Sequence, residues 1–243
     1  MQDAPLTINR IQGFIGETVY DPYGRVLGKL VSLESDVDGI VTAIAVEDEG
    51  HRIRFVEANS VKISSGKVIV LPEWKVMANQ TLTAYITALK RIKSLEDMYS
   101  RNEIPSIVYR ELKKKLDESL SKLKSKAKKL KEAIRHRMDE LDDENLRIER
   151  AIANLKVSYF AGEISEKSYK LAIDALRRAK ESNAKELDEL RSVSKRLESI
   201  EGGVLEFKAP ERKEEAEEKK EQAKGKPEIP TSTQPIPVKI ITG

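Results

Sequence analysis

Two histidines, His51 and His136, are the side chains of this 243-residue chain that could serve as neutral-pH imidazole bases. The first sits beside a turn and the second on a helix surface of mixed charge, and neither has a nucleophile at a motif spacing. Gly24-Arg-Val-Leu-Gly28-Lys29-Leu30 resembles a phosphate loop. It has one residue too few between its glycines, however, and lacks the Ser or Thr after Lys29 that would ligate magnesium, so it reads as a strand turn. Asp36-Val-Asp38-Gly39 opens like a calcium loop but runs on into an apolar strand without the terminal Glu, and reads as a hairpin. Asp142 and Asp143 are adjacent on a helix and point in different directions, as a solvated face does and an acid/base pair does not. With no cysteine there is no disulfide and no thiolate metal site. The expectation is a protein without catalysis, cofactor or metal.

What remains is the chemistry of binding. Arg110 to Lys131 holds ten Lys or Arg against three acidic residues. Leu112, Leu116, Leu120, Leu123, Ala127 and Leu130 form a seam in this stretch. Around it stand Lys113, Lys114, Lys115, Lys122, Lys124, Lys126, Lys128, Lys129 and Lys131, the candidate polyanion-binding residues. Such an array suits nonspecific phosphate contact, by DNA or by an anionic membrane surface, and suits equally the solvated face of a coiled coil. No interleaved aromatic residues offer stacking for single-stranded bases.

The second binding element lies at the C-terminus. Glu211 to Lys226 carries six acidic and six basic residues and no aromatic or β-branched one, so it cannot bury enough surface to offset chain entropy and reads as a disordered tether. Pro227, Pro230, Pro235 and Pro237 then favour extended backbone, and Val238 to Thr242 have the β-branched character of a strand. Pro235, Ile236, Pro237, Val238, Lys239, Ile240 and Ile241 are the candidate partner-binding residues. The segment would add to an exposed sheet edge of a partner, with Ile236, Val238 and Ile240 entering pockets. A frayed terminus without a role is the alternative.

These candidates must be carried by a modular scaffold. Charged residues at 35% and aromatics at 5% argue against one large globular core. From Gly13 to Pro72, short β-rich runs alternate with turns at Asp38-Gly39, Gly50 and Ser65-Gly66, which predicts five or six strands curled into a small barrel. From Trp74 to Ile200 the pattern is helical and internally duplicated. Leu95, Tyr99, Glu103, Ile104 and Tyr109 recur sixty residues later as Leu155, Tyr159, Glu163, Ile164 and Tyr169. Asn102 and Gly162, which tolerate left-handed backbone, lie at the centre of each copy, so the spacing predicts helices over 76–100, 106–160 and 166–200 with a corner between each pair.

Backward from the second corner, apolar positions recur at mirrored spacings to those running forward from it. This predicts an antiparallel coiled coil in which Asn145 faces Asn183, although a parallel dimer could use the same stripe. The fold class is therefore α+β: an all-β barrel over 1–75, a coiled coil over 76–206, a charged linker over 207–226 and a docking peptide over 227–243. Barrel and rod offer two surfaces for self-association that needs no nucleotide. No secretory signal and no membrane-spanning run is visible, so a cytoplasmic protein with peripheral membrane contact is expected.

The stretch from Gly16 to Leu30, with its V-Y-D-P-Y-G-R-V-L-G-K-L core, resembles the opening of the PRC-barrel family, which implies a binding and assembly module. PRC-like barrel, broken coiled coil, charged tether and terminal P-I-P-V-K-I-I peptide, taken in that order, resemble the CdvA family of archaeal cell-division proteins. The resemblance implies a non-enzymatic filament or scaffold protein at the division site, associated with membrane and DNA, which recruits the ESCRT-III-like protein CdvB by completing a sheet of its winged-helix domain. A nucleic-acid tether of the nucleoid or ribosome-maturation type, using the barrel and the basic helix, is the alternative.

Overall fold

The computed structural model describes residues 5–202, so the charged tether and the candidate docking peptide lie outside the described residues. Six strands, β1 (Thr18–Tyr20), β2 (Val26–Ser35), β3 (Val41–Glu47), β4 (Ile53–Glu57), β5 (Val61–Ser64) and β6 (Lys67–Val70), form one sheet in the order β4-β3-β2-β1-β6-β5. All neighbours are antiparallel except β1 and β6, which run parallel and join the two hairpin systems. Bulges between Val19 and Tyr20 and between Leu30 and Ser32 curl the sheet around Val19, Leu30, Ile44, Val46 and Val68, all nearly inaccessible to solvent. A short helix, α1 (Ile8–Ile11), seals this core with Ile11 at 0% exposure. Backbone bonds from Val41 N–H to Leu6 O and from Ile8 N–H to Gly39 O anchor it. The sequence reading, which began the β unit at Gly13, did not anticipate this segment.

The turns explain the β register. Ser65 and Gly66 have φ of 51° and 70°, the paired left-handed conformation of the tightest hairpins. Gly28, in the stretch that resembles a phosphate loop, sits within β2, and a Cβ there would lie 2.1 Å from Glu47 O. Its glycine serves the close approach of β2 and β3, not a phosphate.

Three helices follow: α2 (Glu73–Ser100), α3 (Ser106–Phe160) and α4 (Glu166–Glu201). Helix α2 begins three residues before the expected Val76, because Pro72 presets the first turn and Trp74 is buried, 6% exposed, against the coil. At about 1.5 Å per residue α3 spans roughly 80 Å. Its first half pairs with α2 and its second with α4, and where the two partners overlap Leu82, Tyr85, Leu130, Ile134, Leu190 and Leu197 share one core. Each such side chain withdrawn from water contributes about 1.5–3 kcal/mol.

Both predicted corners are present and built alike. Asn102 (φ 56°) and Gly162 (φ 76°) are left-handed. Asn102 N–H bonds Tyr99 O and Glu103 N–H bonds Met98 O, as Gly162 N–H bonds Tyr159 O and Glu163 N–H bonds Ser158 O. This is the paired closure of orphan carbonyls that ends a helix on a left-handed residue. Across each corner the tyrosines stack, Tyr99 on Tyr109 at 4.1 Å and Tyr159 on Tyr169 at 4.4 Å. The two sixty-residue copies therefore repeat a structure as well as a pattern.

A Cβ at Gly162 would meet nothing within 4 Å, so any penalty there comes from the backbone alone. Gly162→Val should lower stability by about 1–2 kcal/mol, read as a fall in the thermal midpoint, because a β-branched residue opposes positive φ. Gly162→Asn, at the same position, should cost less than half of that.

Candidate functional site

The turn Asp21-Pro-Tyr-Gly-Arg25 between β1 and β2 is organised by one carboxylate. Asp21, 8% exposed, accepts on Oδ1 from the backbone N–H groups of Tyr23 and Arg25, each at 2.8 Å, and on Oδ2 from Arg25 Nη1 at 2.9 Å. Gly24, at φ 88°, lets the chain reverse. Tyr23 and Arg25 are thereby aimed out of the barrel at α4. Tyr23 Oη donates to Glu189 at 2.8 Å, and Ser182 Oγ donates to Tyr23 O at 3.0 Å. Lys75 of α2 holds the same Glu189 at 2.6 Å.

At the centre is Glu186 of α4, 1% exposed. Its carboxylate accepts from Arg25 Nη1 at 2.6 Å, from Arg137 Nε at 2.9 Å and Nη2 at 3.1 Å, and from Trp74 Nε1 at 3.2 Å. Arg25 Nη2 donates at 2.7 Å to Asn183 Oδ1, whose amide Nδ2 in turn donates to Asn145 Oδ1 and to Glu144, each at 3.2 Å. The expected Asn145–Asn183 pair is thus present, and it is extended by a guanidinium from the barrel. One buried acid joins the β1–β2 turn, α2, α3 and α4. Burial by itself pushes the Glu186 carboxyl up; the hydrogen bonds of Arg137 and Arg25 outweigh that and hold it below the ordinary carboxylate value of 4.5. Burial and the bond to Glu189 push the Tyr23 phenol well above its usual range.

Beside this clasp lies a cleft of about 1080 Å³ between the barrel and the helices. Phe55 of β4 and Trp74 and Met77 of α2 line it with apolar surface, while the guanidiniums of Arg25 and Arg137 are matched there by the carboxylates of Asp21 and Glu186.

The other residues singled out from the sequence are placed as follows. Asp36 Oδ1 accepts from the N–H groups of Asp38 and Ile40 and so closes the β2–β3 hairpin. His51 and His136 pair on the surface with Glu47 and Glu140. Among the described residues no three His, Asp or Glu side chains cluster as a metal site would need. Lys113 is held by Glu96 at 2.6 Å, a bond that raises its pKa above the lysine range, and Lys131 is held by Glu201. Lys114, Lys115, Lys122, Lys124, Lys126, Lys128 and Lys129 are exposed along α3. Leu112, expected in the seam, is 41% exposed, because the alternating four-and-three spacing that joins Tyr109, Leu116, Leu120 and Leu123 gives its place to the half-buried Lys113. Sequence reading missed Arg25, Arg137 and Glu186. The available signal was the acid itself, set one turn from Asn183 and Leu190 within an apolar stripe.

The clasp makes a measurable prediction. Glu186→Ala leaves two guanidiniums facing a buried void and should cost about 3 kcal/mol. Because the folded pKa of Glu186 is depressed, its contribution is fully present above pH 4.5 and is lost as pH falls from there through the lower folded value. Trp74, the single tryptophan, reports directly on the carboxylate. An acid titration of its fluorescence should show a transition below pH 4.5 that is absent in Glu186→Ala.

The family model for the CdvA-like coiled-coil domain matches residues 73–221. The chain is also 35% identical over 195 residues to Cell division protein A of Sulfolobus acidocaldarius, covering 80% of this chain and 82% of that one. The matched span takes in all three helices, both corners and the acid at the heart of the clasp. On these matches the chain belongs to the CdvA-like coiled-coil family.

Proposed function

We propose that this protein is a non-enzymatic scaffold of cell division, a barrel fixed to a rod, that recruits an ESCRT-III-like partner through its C-terminal peptide. The observation that carries the reading is the match along most of the chain to a protein named for cell division. The clasp around Glu186 supports a scaffold role, since it spends its charged groups on fastening two modules together. The sequence of Pro235 to Ile241 suits recruitment: its prolines would cut the entropy lost on docking, and on pairing as a strand Ile236, Val238 and Ile240 would share one face. The partner of that chemistry is a winged-helix domain with an open sheet edge, as in CdvB.

The exposed lysines on the first half of α3 supply contact with a phosphate-bearing surface, and the protein works at the membrane of the division site as a peripheral component. No helix among the described residues is long and apolar enough to cross a membrane. Those same lysines favour a second reading, a nucleic-acid tether, in which the terminal peptide would be dispensable. Deleting residues 227–243 separates the two, since recruitment requires them.

The direct test titrates the CdvB winged-helix domain with a peptide of residues 227–243. Replacing Ile236, Val238 and Ile240 by Ala should weaken binding at least tenfold, since each truncation of a buried aliphatic side chain costs about 1–3 kcal/mol. Equal affinity of the two peptides would assign the contact to other residues, and no binding by the parent peptide would end the recruitment reading.

A further inference from the structure

Helix α3 changes sign along its length. Residues 110–131 hold ten Lys or Arg against three acidic residues, whereas residues 132–150 hold seven acidic residues against four Arg. Helices α2 and α4 both pack on the seam of α3 that includes Leu130, Ile134 and Leu141, and Arg137 faces the clasp. At about 100° per residue, Lys124, Lys128, Asp139, Asp142 and Leu146 fall within roughly 60° of one another on a different face. All five are exposed. Among the described residues, none of the four charged ones is held in an ion pair. Leu146 is 47% exposed at the middle of this face, and Val157 and Phe160, 68% and 83% exposed, continue it toward the second corner.

We propose that this face of α3 is a self-association surface, where a second copy of the chain pairs antiparallel through its own α3 about a two-fold axis between Ala133 and Ile134. Charge selects the direction: parallel pairing would lay one lysine-rich half on the other, whereas antiparallel pairing lays it on the acidic half. Charge also selects the register. With the axis at this point Lys128 faces Asp139 of the second copy across the centre of the contact. Antiparallel helices bring like flanks together, so Lys124 lies beside Asp142 on one flank and Glu118 beside Arg150 on the other. The contact is isologous, and each pair occurs twice. Where like charges become neighbours, the chain has already matched them: Lys131, beside Arg135, is held by Glu201, and Glu149, beside Asp117, is held by Lys180. Leu146 faces Ser121, and Phe160 lies level with Ile107, itself 63% exposed. Lys115, Lys122, Lys126 and Lys129 stand roughly 100–160° round the helix from Leu146, so a separate row of lysines remains for the phosphate-bearing surface.

Sedimentation equilibrium of the full-length chain tests the surface. Dimerisation should weaken at least about tenfold as ionic strength rises from about 0.1 M to about 1 M, because the Debye length falls from about 10 Å to about 3 Å. Lys124→Glu combined with Lys128→Glu sets like charges together in both halves of the dimer. It should raise the dimer dissociation constant at least about tenfold, with an unchanged far-ultraviolet spectrum. Adding Asp139→Lys and Asp142→Lys to that chain remakes each pair with its signs exchanged and should restore dimerisation, which a merely unfolded variant would not allow. A chain that is monomeric at all concentrations, association that ignores salt, a double variant that dimerises as tightly as the unmodified chain, or a charge-exchanged variant no better than the double one would each overturn the α3 interface. Recruitment by the terminal peptide would survive any of these results, since the peptide titration alone reads it.

Discussion

A carboxylate taken out of water is tolerated only when it is matched by charge and fully hydrogen-bonded, and Glu186 meets that condition with partners from three other elements. Arg25 reaches it from the barrel, Arg137 from α3, and the Trp74 indole from the start of α2. Placing any one of these elements elsewhere would strand a buried charge, so the acid constrains where all of them sit. The constraint is specific in a way that apolar packing is not, because aliphatic faces slide over one another at little cost whereas a shared carboxylate accepts from fixed directions. The barrel is thereby locked to one level of the rod, the level at which α2 and α4 overlap on α3.

The rod is built by repetition. A sixty-residue unit ending in a left-handed residue and a stacked tyrosine pair occurs twice, and the two copies fold α2 and α4 back onto opposite halves of α3. Register within the second hairpin is set by the Asn145–Asn183 pair, a polar contact in an otherwise apolar seam. The structure adds that Asn183 also accepts from Arg25, so the residue that fixes the register of the coil takes part in docking the barrel. A barrel held in this way cannot rotate freely about the rod and keeps one orientation relative to the helices.

The parts of this fold legible in the sequence were those with local causes. The corners could be placed because Asn102 and Gly162 occupy matching points of a duplication, and the turns because Asp38-Gly39 and Ser65-Gly66 carry their conformations in their residue types. The seam was legible from Leu116 onward, and failed at Leu112, where the four-and-three spacing gives the inward place to Lys113 instead. The clasp was not legible, since Arg25 and Glu186 are 161 residues apart and nothing local marks either as the other's partner. Asp21 to Arg25 could be recognised as a family turn, but a turn motif does not say which surface it faces. The sealing helix at Ile8 to Ile11 was missed because four residues are too few to show periodicity.

The central claim is that the barrel and the coil are held as one body by the contact between Arg25 and Glu186. A double-mutant cycle on their alanine variants, measured by denaturant unfolding, tests this most directly. Direct coupling predicts that the double variant is more stable than the sum of the single losses implies, by about 1–3 kcal/mol. Losses that add to within about 0.5 kcal/mol would show that the two side chains act independently and that the clasp does not hold the modules together.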